Sequence, residues 1–401
     1  MTASIFSTLD LAPPDPILGV TEAFNADTNP SKVNLGVGIY YDDNGKVPVL
    51  DCVRQAEQKI AATALPRSYL PIDGIQPYCR AVQQLVFGTE HEALRSGRVV
   101  TVQTLGGTGG LKVGADFLRS IDRQAEVWIS DPSWENHRAL FENAGFKVQA
   151  YPYYDSATHG LKFEAMLDTL RKLPAKTIVV LHACCHNPTG VDLTAEQWTR
   201  VIEVVAARGL IPFMDLAYQG FAEGADADAA AVRRISVACP VVFVASSFSK
   251  SLSLYGERVG TLSIVTSSTD EARRVLSQVK RIVRTNYSNP PTHGAQAAVA
   301  VLITPELRVV WEQELGQMRD RIKLMRNQLV DKVRALRADF DLSFVIRQRG
   351  MFSYSGLTKE QVQRLRSEYA VYVIDSGRIC VAALNSKNID HAAKAIAGVL
   401  V

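Results

Sequence analysis

Between about residue 100 and residue 265 short apolar runs alternate with longer amphipathic stretches. Runs at 99–104, 127–130, 177–182, 210–215, 241–246 and 260–265 have the length of buried strands, and helical spacing occupies 111–121, 135–144, 163–172 and 196–207. Alternation of this kind predicts an α/β fold, a mostly parallel sheet with helices on both faces whose ligands gather at the carboxyl ends of strands. Farther on, Thr304-Pro305-Glu306 offers a threonine cap with proline at the first helical position. Leu307, Trp311, Leu315, Met318, Ile322, Met325, Leu329 and Leu336 then recur at three- and four-residue steps, the stripe of a long helix joining two domains. Runs at 344–346, 351–354, 371–374 and 378–382 read as strands, and Thr358 with Gln361 reads as a capping box. Residues 11–41, rich in Pro, Asp, Asn and Gly, read as a loosely wound arm ending in a glycine-broken strand. The expected division is an N-terminal arm and part of a small domain over 1–45, a large α/β domain over 46–303, and the linking helix with a small α+β domain over 304–401.

Composition narrows the class. A chain of 401 residues with 47% hydrophobic content buries a large core. Its 44 basic and 41 acidic residues form no long runs of one sign, so no surface for nucleic acid or an anionic membrane is expected. Cysteines at 52, 79, 184, 185, 239 and 380 make no C-x-x-C pair and fit reduced thiols in a cytoplasm. Residues 1–6 lack a basic region followed by an apolar stretch, and no segment is apolar for long enough to span a bilayer, so a soluble cytoplasmic protein is expected.

Candidate chemistry collects at the ends of the predicted strands. Ser246-Ser247-Phe248-Ser249-Lys250 follows one of them, with Arg258 eight residues beyond, and Lys250 reads either as a nucleophile or as a loop lysine. Gly106-Gly107-Thr108-Gly109-Gly110 opens a helix with bare amides and a hydroxyl that suit a phosphate, or else forms a tight turn; it is neither a dinucleotide fingerprint nor a P-loop. Trp134 is a stacking platform or a core residue. The cluster from His182 through Cys184 and Cys185 to His186 has the wrong spacing for a tetrahedral ion, and no metal is expected. Asn187-Pro188-Thr189-Gly190 reads as a turn aiming an amide above the sheet. Asp215 either caps a helix or, ionised in apolar surroundings, requires a cationic partner. Arg284 and Arg378 lie beside structured turns and are able to pair bidentately with carboxylates, although either alone reads as a surface arginine.

An ordered lysine, a phosphate cradle, an aromatic plate, an acid and carboxylate-binding arginines are together what pyridoxal phosphate requires. Over nearly its whole length the chain resembles the class I aminotransferases of the aspartate and aromatic-amino-acid (tyrosine) subgroup. The resemblance rests on Asn34-Leu35-Gly36-Val37-Gly38, Tyr69-Leu70-Pro71-Ile72-Asp73-Gly74, the glycine run at 106–110, the Trp134 segment, Cys184 to Gly190, Asp215-Leu216-Ala217-Tyr218, Ser247 to Lys250, Arg258 and Ser376-Gly377-Arg378. It implies a fold-type I transferase in which Lys250 holds the cofactor covalently and shuttles a proton. Asp215 would pair with the pyridine nitrogen, Tyr218 and Asn187 would bond the phenolic oxygen, and Trp134 would stack on the ring. Gly107, Thr108, Ser247 and Arg258 would hold the phosphate, joined by Tyr69 from a second subunit. Arg378, assisted by the Gly38 backbone, would anchor the α-carboxylate, and Arg284 from the other subunit the distal carboxylate. A homodimer with shared sites follows, acting on amino acids and 2-oxo acids.

Other stretches, among them Arg349-Gly350-Met351-Phe352-Ser353-Tyr354, look more like bacterial tyrosine aminotransferases, and Ile39, Tyr41 and Val47 would supply an apolar wall. A charge-assisted arginine contact and burial of a phenylalanine-sized group are each worth roughly 1.5–3 kcal/mol, so neither overwhelms the other. The expected activity is transfer from aromatic amino acids to 2-oxoglutarate by a ping-pong route, with aspartate also accepted; the alternative is an aspartate-preferring enzyme. Two departures stand out: Gly106 replaces a serine common in aspartate enzymes, at the loss of a phosphate hydrogen bond, and Asp375 adds a charge near Arg378 that either pairs with it or faces solvent.

Overall fold

The computed structural model describes residues 4–12, 17–63, 66 and 68–400; residues 1–3 and part of the expected arm, 13–16, lie outside them. Its centre is a sheet of seven strands, β1 (Val99–Leu105), β2 (Glu126–Asp131), β3 (Lys147–Pro152), β4 (Ile178–His182), β5 (Ile211–Leu216), β6 (Val242–Ser247) and β7 (Val259–Val265), in the order β1-β7-β6-β5-β4-β2-β3. All neighbours run parallel except β7, which is antiparallel to both β1 and β6. Every residue of β6 and β7 is buried, as continuous apolar runs require when both faces are covered. Alternate residues serve opposite cores: Phe213, Phe243 and Ile264 pack on one face, Met214 and Val244 on the other. The six apolar runs all become strands. The seventh, β3, was not expected, because Lys147 and Gln149 alternate with apolar residues as befits an edge strand.

Helix α1 (Gly106–Ile121) starts five residues before the expected position, so the glycine run forms its first turns instead of a loop ahead of it. Close approach is the reason. A Cβ on Gly110 would lie 2.8 Å from the Thr261 carbonyl oxygen, and one on Gly114 would lie 2.5 Å from Phe213 Cζ. Helix α2 (Glu135–Asn143) follows β2, with Trp134 at its N-cap.

The long helix α3 (Pro305–Leu336) buries Leu307, Trp311, Leu315, Met318, Ile322, Met325 and Leu329. Two expectations fail at its ends. Leu336, the last residue, is 51% exposed, and Thr304 makes no side-chain capping bond, the start being set by the fixed φ of Pro305. In the smaller α+β part, 344–346 forms a short helix, Phe344–Arg347, instead of a strand; three apolar residues are too few to reveal a period. Phe352–Tyr354 pairs antiparallel with Arg378–Cys380, and the Thr358–Gln361 capping box is present. Val33–Asn34 pairs in parallel with Val371–Tyr372. All six cysteines are free and buried.

Candidate active site

At the carboxyl ends of the strands lies a cavity of about 210 Å³, and the expected groups converge on it from separate elements. The turn after β6 brings Ser247, Ser249 and Lys250, the end of β5 brings Asp215 and Tyr218, and the turn after β4 brings Asn187. Trp134 enters from the start of α2, and Gly107 and Thr108 from the first turn of α1. Arg258, Gly38 and Arg378 close it.

Asp215, 6% exposed, has its Oδ2 2.9 Å from His137 Nε2. A carboxylate only accepts, so the ring donates, while His137 Nδ1 lies 2.9 Å from the Ser133 hydroxyl. Burial alone would raise the Asp215 pKa, but the hydrogen bond and charge of His137, with the fields of His182 and Lys250, hold it below the usual carboxylate value. Asp215 therefore stays ionised. His137 is the hydrogen-bond partner of Asp215 that sequence reasoning did not find; its position on the first turn of α2 was the available signal. Deeper in, burial and the charge of His137 take His182 down to about 3. His186 shares its two ring nitrogens with the hydroxyls of Ser130 at 2.9 Å and Thr189 at 2.8 Å.

Lys250 Nζ stands 4.8 Å from the centroid of the Tyr218 ring. Desolvation lowers its pKa from 10.5 to about 8, with Arg258 acting the same way and Asp215 opposing. At pH 7 roughly a tenth of such an amine is neutral, against roughly one part in three thousand for an unperturbed lysine. Covalent capture of pyridoxal phosphate by the cofactor-free protein should therefore quicken with pH around a midpoint near 8, followed by stopped-flow absorbance; a midpoint near 10.5 would contradict this environment.

The other end of the cavity is an anion cradle. Arg258 donates through Nη1 to Ser249 Oγ at 3.2 Å and to the Tyr255 carbonyl at 2.9 Å. Gly106 has φ +67°, a conformation that favours glycine, and a Cβ there would lie 2.5 Å from Nη2 at the movable end of Arg258. A Cβ on Gly107 would likewise sit 3.2 Å from Ser247 Cβ. Bare helix-start amides, the hydroxyls of Thr108, Ser247 and Ser249, and a guanidinium form the donor set that a phosphate needs.

Arg378 is 1% exposed and donates to Asn187 Oδ1 at 3.2 Å and to the Gly36 carbonyl at 2.7 Å. Its guanidinium lies 4.3 Å over the Phe352 ring, and its buried Nε has no hydrogen-bond partner among the described residues. Gly38 is held close by the same ring, since a Cβ on it would meet Phe352 Cζ at 2.7 Å. Asp375 faces away and pairs with Lys359 at 3.3 Å and Arg366 at 3.8 Å. Five expected residues lie outside the cavity of the single chain, among them Val47, which is 41% exposed. Tyr69 is 90% exposed, Arg284 is exposed and bonds the Ser288 hydroxyl, and Ile39 and Tyr41 are partly buried away from the lining. Conversely, Tyr255, whose hydroxyl accepts from the Tyr40 amide at 2.9 Å, and Phe352 line it without having been singled out.

A mostly parallel sheet with a desolvated lysine, an ionised aspartate and an anion cradle at its strand ends defines a fold-type I transferase. The chain belongs to the family of class I and II aminotransferases, which matches over residues 30–396. It is 60% identical to an aspartate aminotransferase of Pseudomonas aeruginosa and 49% identical to an aromatic-amino-acid aminotransferase of Escherichia coli, covering 99% of this chain and 100% of each relative. A crystal structure of an aromatic-amino-acid aminotransferase from Burkholderia pseudomallei, covalently bound to pyridoxal phosphate, is 62% identical and superposes with a TM-score of 0.97 over 100% of both chains.

Proposed function

We propose that this transaminase moves the amino group of aromatic amino acids to 2-oxoglutarate in a ping-pong cycle on pyridoxal phosphate, and accepts aspartate as well. The observation that carries it is the convergence of Lys250, Asp215 and Arg378 on one cavity lined also by Trp134, Tyr218 and Phe352. The residues fit the cofactor: the glycine-bounded cradle at Gly107, Thr108, Ser247 and Arg258 would take its phosphate, Asp215 its ring nitrogen, Tyr218 and Asn187 its phenolic oxygen, and Trp134 its ring face. When bound, pyridoxal phosphate supplies a carbonyl for the amino group and a ring that withdraws electrons from the substrate α-carbon. Lys250 Nζ, about half freed of its proton near pH 8, takes and returns the α-proton. Asp215, kept ionised by His137, favours a protonated ring nitrogen. Arg378 fixes the α-carboxylate with the part of its guanidinium that Asn187 and Gly36 leave free.

The same proposal includes a cytoplasmic homodimer in which Tyr69 and Arg284 complete the neighbouring site, and Ile39 and Tyr41 contribute to an apolar wall. Exposure of Tyr69 and Arg284 in the single chain supports the shared site, and the free buried cysteines support a reducing compartment. Among the described residues no helix is long and apolar enough to cross a membrane. The division into an arm (1–45), a large domain (46–303) and a linking helix with small domain (304–401) is supported by the pairing of Val33–Asn34 with Val371–Tyr372.

A second reading, preference for aspartate, is favoured by the name of the 60% identical Pseudomonas aeruginosa relative. Comparing kcat/KM for phenylalanine and aspartate against 2-oxoglutarate separates the two, and a higher value for aspartate refutes the aromatic preference. Arg284→Ala should then lower kcat/KM for aspartate on the order of 10²-fold and change that for phenylalanine less than about threefold. Equal losses on both donors would remove Arg284 from distal-carboxylate binding.

A further inference from the structure

On the face where α3 passes residues 221–223 and 346–350 there is a second cavity, of about 310 Å³, whose lining includes Lys323, Arg326, Arg347, Arg349 and Glu223. Four cations meet one carboxylate there. Arg326 is 3% exposed and donates through Nε to Ser353 Oγ at 3.2 Å and through Nη2 to the carbonyls of Gly350 and Phe352 at 2.7 and 3.2 Å. Its Nη1 makes no hydrogen bond, and no carboxylate lies within ion-pairing distance of it, among the described residues. A buried guanidinium whose anionic field comes from Asp192, beyond ion-pairing distance, is an unfavourable state that a closer anion relieves. Burial has already drawn its pKa down to about 10.

The surrounding charges bear on the same point. Glu223 forms a close ion pair with Arg349 and a longer one with Lys323, at 3.4 Å. Arg347 shares the field of Asp341, and Asp192 lies behind Arg326 and Arg349, its carboxylate engaged by the amides of Cys185 and His186 at 2.7 and 2.8 Å. Cations therefore remain in excess at the mouth, and Glu223 holds two of them in place.

We propose that this cavity is an anion site for a phosphate dianion, free or carried as a phosphate monoester, which displaces Glu223 from Arg349 and Lys323 and reaches Arg326. None of the groups assigned to the cofactor phosphate lines it, and it does not depend on the reading of the reaction.

The test uses holoenzyme saturated with pyridoxal phosphate, with succinate present to occupy Arg378, titrated calorimetrically with inorganic phosphate and separately with glycerol 3-phosphate. Lys323 and Arg349 are 46% and 44% exposed, so Lys323→Gln with Arg349→Gln leaves the interior intact; together they should weaken binding about 100-fold, roughly tenfold for each cation. Glu223→Gln should tighten it about tenfold, because the internal competitor has lost its charge. Stronger binding of the monoester identifies a phosphorylated metabolite as the occupant, and equal or stronger binding of inorganic phosphate identifies the free ion. One affinity shared by all three proteins, or no binding to wild type and Glu223→Gln at millimolar ligand, would overturn the proposal.

Discussion

Lys250→Ala is expected to lower kcat/KM by about 10⁴-fold or more and to abolish the borohydride-reducible link to the cofactor. The size of the effect follows from two losses at one atom. In the proposed reaction Nζ is both the nucleophile that holds the cofactor and the base that moves the α-proton, and no neighbour lining the cavity is suited to replace it. Ser247 and Ser249 are unactivated hydroxyls, and burial pushes the nearby Tyr218 phenol upward, away from use as a base near neutral pH. Asp215 is engaged by His137. Lys250→Arg should be equally inactive, because it keeps the charge but stays protonated. Either variant turning over at the wild-type rate would sink the assignment, and the ultraviolet-visible spectrum with borohydride trapping reads the two losses separately.

Much of this site was legible because its residues follow strand ends, where a change from apolar run to turn is visible in one dimension. Lys250, Asp215, Asn187 and Gly107 each fall at such a change, and all four reach the cavity. What stayed hidden depends on distances between elements. His137 was not singled out in the sequence, and only the fold brings its ring to Asp215. Phe352 read only as part of a predicted strand, yet its ring is the plate under Arg378. Gly106 read as a lost phosphate contact, and the sequence alone did not reveal its positive φ, which favours glycine, or its nearness to the end of the Arg258 side chain. The fold was legible for a similar reason and to a similar limit. Strands buried on both faces announce themselves as apolar runs, while the edge strand β3 and the short helix Phe344–Arg347 carry no period long enough to detect.

Arg378→Met is expected to lower kcat/KM by roughly 10²–10⁴-fold on aromatic and dicarboxylic donors alike, since losing one member of a desolvated charge pair costs about 2–5 kcal/mol. This loss should come without a loss of stability. Arg378 is 1% exposed, its Nε lacks a partner among the described residues, and the acceptors it does reach, Asn187 Oδ1 and the Gly36 carbonyl, are neutral. An ion held in that state carries a desolvation penalty of several kcal/mol, which two hydrogen bonds worth about 1.5–3 kcal/mol each and the contact with Phe352 only balance. Methionine fills much of the same volume without the charge. The cofactor-free variant should therefore melt within a few degrees of wild type or above it, as read by calorimetry, while wild type alone gains stability on adding a dicarboxylate. Melting more than about 10 °C below wild type would mean that Arg378 is part of the structural frame, and the unpaired guanidinium could no longer be read as a site prepared for the substrate carboxylate.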